Sequence, residues 1–176
     1  MRTWENEATL ASITNLEVCP MVTPAAQPSL KAKSVLKPTE CLTRAKAGQL
    51  SQLDIFLLVK EGFALKNVQA MLSISELYSS ADVTARVLGK SLQALRRRGH
   101  IESARLDAQQ SAIAYQYAKA LEHATSVFGT QKHAEEWLSH PCKYLAGGIP
   151  VELIGNSLGF RAVEDYLKRV EYGVYQ

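Results

Sequence analysis

No stretch of this sequence is apolar for long. In 176 residues the longest unbroken run of aliphatic or aromatic side chains is Ile55 to Val59, whereas a membrane-spanning helix needs about 20 such residues. The N-terminus has no apolar secretory core either; it places Glu5 and Glu7 where that core would stand. Cysteine is scarce. Cys19, Cys41 and Cys142 are odd in number and widely spaced, which excludes a disulfide framework and suits reduced thiols in the cytoplasm. Glycine is missing from the first 47 residues, which instead hold four of the six prolines. Apolar residues there keep no sustained helical period, so residues 1–47 are expected to be disordered or ordered only against a partner. No alternating strand pattern is present, and the expected fold class is all-α.

Charge is present but unevenly spread. The chain carries a net charge of +3. Residues 82–105 hold Arg86, Lys90, Arg96, Arg97, Arg98 and Arg105 against Asp82 and Glu102, which is more than the whole excess. A focused basic patch on a balanced chain suits a polyanionic partner, most often nucleic acid.

From Leu50 onward helical spacing takes over. Leu50, Leu53 and Leu57 recur at three and four residues, with Gly62 placed to end their helix, and Leu65, Val68 and Leu72 mark a second. Ser79-Ser80-Ala81-Asp82 can cap a third helix that turns Val83, Val87 and Leu88 inward. Gly89 supplies the left-handed residue of a tight turn, Ser91 caps a fourth helix, and Gly99 closes it. Short helix, glycine turn and arginine-bearing short helix make a helix-turn-helix pattern. Residues 48–105 are therefore expected to form a DNA-binding region.

Within the fourth helix, Leu92 and Leu95 define the buried direction at 100° per residue. Gln93 and Arg97 then point towards base edges, since glutamine can pair with adenine and arginine with guanine. Arg96 and Arg98 flank the helix, and with Lys90 and Ser91 they are placed to touch phosphates.

The remaining chain, residues 106–176, reads as further helices. Leu106, Ile113, Tyr117, Leu121, Ala124 and Phe128 share a stripe that Gly129 ends. Thr130 caps a helix burying Trp137 and Leu138, Gly147-Gly148 forms a tight turn, and Pro150 opens the next helix. The last helix turns Phe160, Val163, Leu167 and Val170 inward, with Glu164→Lys168 and Asp165→Arg169 as outer-face pairs. His123, His133, His140 and Cys142 match no common zinc spacing, and no nucleophile, base and orienting group can be assembled. Neither a metal, nor a cofactor, nor an enzyme activity is expected.

Glu102-Ser103-Ala104-Arg105, Val127-Phe128-Gly129, Ala134 with Trp137-Leu138, Leu145 with Gly147-Gly148-Ile149-Pro150, and the ending Tyr172-Gly173-Val174 occur together in one known order. With them the chain resembles the antitoxins of RES–Xre toxin–antitoxin modules, the group that includes the MbcA and ParS antitoxins. The resemblance spans roughly residues 62–176. It implies a homodimeric cytoplasmic antitoxin that binds a RES-domain toxin, which degrades NAD, in a larger hetero-oligomer, and that represses its own operon through operator DNA. The toxin-binding domain would be residues 106–176. At its end, Tyr172, Gly173, Val174, Tyr175 and Gln176 form a tail suited to entering the toxin's cleft. Two other readings stand beside this one: a plain transcriptional regulator whose C-terminal helices only dimerise, and an NAD-using enzyme in its own right.

Overall fold

A computed structural model describes residues 37–46, 49–89 and 104–173. Among these the protein is all-α. Five helices precede the long one: α1 (Pro38–Thr43), α2 (Gln52–Glu61), α3 (Leu65–Leu72), α4 (Glu76–Ser79) and α5 (Ala81–Leu88). The long helix is α6 (Ala108–Phe128), followed by α7 (Gln131–Ser139), a single 3-10 turn at Lys143–Leu145, α8 (Pro150–Leu153) and α9 (Ser157–Glu171).

Helix α6 is the axle. Its 21 residues span about 31 Å at 1.5 Å per residue, and α1, α2, α5, α7 and α9 all pack along it. Neighbours on several sides require small side chains, and Ala114, Ala118, Ala120 and Ala124 are fully buried there with Tyr117 and Leu121. Asp107 caps its start by accepting from the Gln110 amide at 2.7 Å. Gly129, at φ +79°, ends it as the spacing predicts.

The first five helices are tied to α6 by polar contacts as well as burial. The Ser111 hydroxyl accepts the Phe63 amide at 2.9 Å inside the core, and Gln110 Nε2 donates to the Leu88 carbonyl at 3.1 Å. Two backbone bonds, Leu65 N to Ala104 O at 2.8 Å and Leu106 N to Phe63 O at 2.9 Å, join the two ends of the region that holds the basic stretch. This is the isolated bridge Ala64–Arg105. At Gly62, φ is +86° and a side chain would collide with the Leu106 carbonyl, so only glycine lets the two segments approach. The buried core is continuous across positions 105 and 106.

Several expectations meet their outcome here. Val83, Val87 and Leu88 of α5 are buried, as are Leu65, Val68 and Leu72 of α3. Thr130 caps α7 by accepting from the His133 amide, and Gly147 adopts φ +76° in the expected turn. Within residues 1–47, expected to be disordered or ordered only against a partner, residues 37–46 are described and include a short helix. Pro38 sits in the first turn of α1, Leu42 is buried, and Thr39 Oγ1 donates to Glu122 at 2.6 Å. Six residues are too few to show a helical period, which is why the sequence hid this helix. The outer-face pairs of α9 also differ. Glu164 turns inward to His123; Lys168 pairs instead with Asp165 at 3.8 Å, and Arg169 Nε donates to the Asp165 backbone carbonyl at 3.3 Å.

Candidate functional site

The C-terminal end of α9 is held to the axle by one histidine. His123 Nδ1 lies 3.1 Å from Glu164 Oε1, and Nε2 lies 3.4 Å from Glu171 Oε2. One turn of α6 thus grips two turns of α9, since positions 164 and 171 share a face. The Glu164 hydrogen bond, working against the lowering effect of burial and reinforced by both carboxylate charges, holds the His123 imidazole above its ordinary pKa. Beside it, Glu122 receives Thr39 and Lys37, the latter at 3.6 Å. Adjacent residues of α6 therefore fasten the first helix and the last. They border an open groove of about 630 Å³ lined also by Lys119, Lys168 and Tyr172.

Behind the last helix lies a run of four rings. Phe128 and Trp137 have centroids 5.3 Å apart, Trp137 and Tyr166 stack at 5.5 Å with planes 5° apart, and Tyr144 and Tyr166 stack at 5.7 Å. The run grades from core to solvent, with Trp137 only 9% exposed and Tyr144 55% exposed. Gly159 is needed where α9 crosses α8, because a side chain there would collide with the Leu153 backbone carbonyl. Ring stack, glycine contact and histidine clasp fix α9 along its length.

Past the clasp, Tyr172 is 77% exposed, and Gly173 turns at φ +68°. Of the five tail residues picked out from sequence, these two lie where the chain leaves the helical unit. Val174, Tyr175 and Gln176 fall outside the described residues. The DNA-contact candidates Lys90, Ser91, Gln93, Arg96, Arg97 and Arg98 likewise fall outside them. Helix α5 and its cap Gly89, at φ +53°, lead up to that segment.

Residues 123–173 match the family model described as the antitoxin Xre/MbcA/ParS C-terminal toxin-binding domain. Over that stretch the chain is similar to toxin-binding antitoxin domains. The match begins at the clasping His123 and ends at Gly173, so the Xre/MbcA/ParS region coincides with the second half of α6 and everything packed beyond it. It supports a regulatory, non-catalytic protein with a general antitoxin role. No curated protein matches the sequence. Among the described residues no group of histidine, cysteine and carboxylate side chains could hold a metal ion, and no helix is long and apolar enough to cross a membrane.

The His123–Glu164–Glu171 clasp was not legible in the sequence. Its partners are 41 and 48 residues away, and Glu164 has a lysine four residues on that makes the helical pair look sufficient.

Proposed function

We propose that this protein is the antitoxin of a RES-type module: it binds an NAD-degrading toxin through its C-terminal domain and represses its own operon through the basic stretch at 90–98. The coincidence of the toxin-binding match with the unit that ends in exposed Tyr172 carries this reading. The last helix ends in an exposed tyrosine and a left-handed glycine, which supports a contact surface at Tyr172 itself. Tyrosine gives a large contact surface with few rotamers to freeze. The tail Tyr172–Gln176 would then fill the toxin's NAD cleft and exclude substrate. The antitoxin works as a homodimer, since one short reading helix per chain gives too few base contacts for tight operator binding. Gly89 lies beside Gln110 near the start of α6 and Glu171 beside His123 nearer its end, which supports separate surfaces for operator and toxin in one hetero-oligomer.

The test is co-expression with the neighbouring reading frame and measurement of cellular NAD. The full chain should preserve NAD, and a chain lacking residues 174–176 should still fold and bind operator while protecting NAD poorly. Full protection by the shortened chain would defeat the tail mechanism. Absence of any NAD loss from the neighbouring product alone would defeat the RES assignment.

A further inference from the structure

Helix α2 carries an apolar stripe that nothing among the described residues covers. Leu53, Phe56 and Leu57 are 64%, 59% and 46% exposed, and no residue of the helix is buried. Their spacing of three and four places them on one face with Lys60. Two anchored ends keep this face preformed. Ser51 and Asp54 make a reciprocal capping box, with the Asp54 amide donating to Ser51 Oγ at 3.1 Å and the Ser51 amide donating to Asp54 Oδ2 at 2.9 Å. At the other end Gly62 is wedged against Leu106.

We propose that this stripe is where two copies of the chain meet, with the two α2 helices antiparallel about a two-fold axis at Leu57. The inference rests on the dimeric part of the function proposed above, and not on the identity of the toxin. Charge complementarity selects a second copy. The helix is acidic at its start, at Asp54, and basic near its end, at Lys60. Glu61 is already paired with Arg105 at 3.8 Å, whereas Lys60 has no ion pair among the described residues. With the axis at Leu57, each Lys60 stands level with Asp54 of the other copy, three residues from the axis on either side. Antiparallel pairing also opposes the two helix dipoles, whereas parallel pairing would align them. Isologous contacts of this kind bury one patch twice and close after two copies. The Glu61–Arg105 pair joins α2 to the last residue of the basic stretch, so pairing through α2 brings two such stretches under one axis.

Sedimentation equilibrium of the full chain, without toxin or DNA, tests this. Wild type should be a dimer, and Leu57→Asp should weaken association by about tenfold or more, as loss of a central anchor does. Lys60→Glu should weaken it a few-fold at low salt and less at high salt, where exposed charges are screened. Leu158→Asp removes an apolar side chain of α9 that is still more exposed, at 78%, and should change nothing. Leu57→Cys should form an oxidised dimer whose cross-linked peptide joins position 57 to position 57. These positions are solvent-facing, so melting of each monomer, followed by circular dichroism, should stay near wild type. A dimer that Leu57→Asp leaves intact overturns the interface but keeps the dimeric antitoxin. A wild-type monomer overturns both the interface and the dimeric reading, and NAD protection in the co-expression assay still reports separately on the antitoxin role.

Discussion

The phenol of Tyr78 donates to the backbone carbonyl of Tyr117 at 2.9 Å, and the two rings meet edge to face at 5.4 Å. This pair fixes α4 against the axle. Tyr117 in turn donates its own hydroxyl to the Val151 carbonyl at 2.9 Å, so two phenols link α4, α6 and α8 through the middle of the molecule. Burial pushes the Tyr78 hydroxyl well above its ordinary pKa, which keeps it a donor. Tyr78→Phe should cost about 1 kcal/mol, the net worth of one buried hydrogen bond. Tyr78→Ala should cost about 3–5 kcal/mol. Urea melts of the two variants should differ by that margin; equal losses would mean that the hydroxyl and not the ring supports the site.

The His123 clasp makes stability depend on pH in a definite direction. Its folded pKa is raised, so its contribution is complete below the unfolded value of about 6.5 and fades as pH rises through the folded value. A charge-assisted contact of this kind contributes about 1–3 kcal/mol. Thermal melts taken from pH 6 upward should therefore show a decline that His123→Gln removes. A variant whose melting temperature follows the same pH curve as wild type would refute the clasp. Because Glu171 lies one residue before Tyr172, the same variant should weaken toxin binding more than operator binding.

Trp137 separates ring stacking from hydrogen bonding. Its Nε1 is buried without a hydrogen-bond partner among the described residues, which costs stability, while its ring lies between Phe128 and Tyr166. Trp137→Ala should destabilise by about 3–5 kcal/mol. Trp137→Phe should cost much less than that, since it keeps a ring and removes the unsatisfied donor. Chemical denaturation of both variants decides the matter, and the sequence-based expectation that this tryptophan belongs to the core agrees with its burial.

For operator binding, Arg97→Ala should cost about 1–3 kcal/mol on the specific site and relax one base position. Arg98→Ala should weaken all sequences alike and flatten the salt dependence. Competition binding with specific and random duplexes distinguishes them; equal loss on both duplexes for Arg97→Ala would remove its base-reading role.

Much of the helical order was legible because it is written locally. Gly62, Gly89 and Gly129 stop their helices, Thr130 starts one, and Val83, Val87 and Leu88 mark a buried face. Contacts set by distant partners were not. Glu164 carries the same helical spacing to Lys168 whether or not His123 waits across the fold. Leu53 and Leu57 have core spacing yet face outward, because periodicity defines a face without saying what covers it. The short α1 and the four-residue α4 have too few turns to leave a period at all. At the candidate site, the exposed end at Tyr172 followed from a helix ending near a glycine, whereas the clasp behind it depends on residues 41 and 48 positions apart.

Because α6 packs against helices from both sides of position 105, one core spans that position. A fragment beginning there would keep α6 but lose α1, α2 and α5 from its sides. The upstream fragment would lose the Ser111 and Gln110 contacts that anchor Phe63 and Leu88. Under the proposed antitoxin function, a new toxin specificity would be grafted by recutting the exposed end of α9 while leaving the buried faces of α6 as they are.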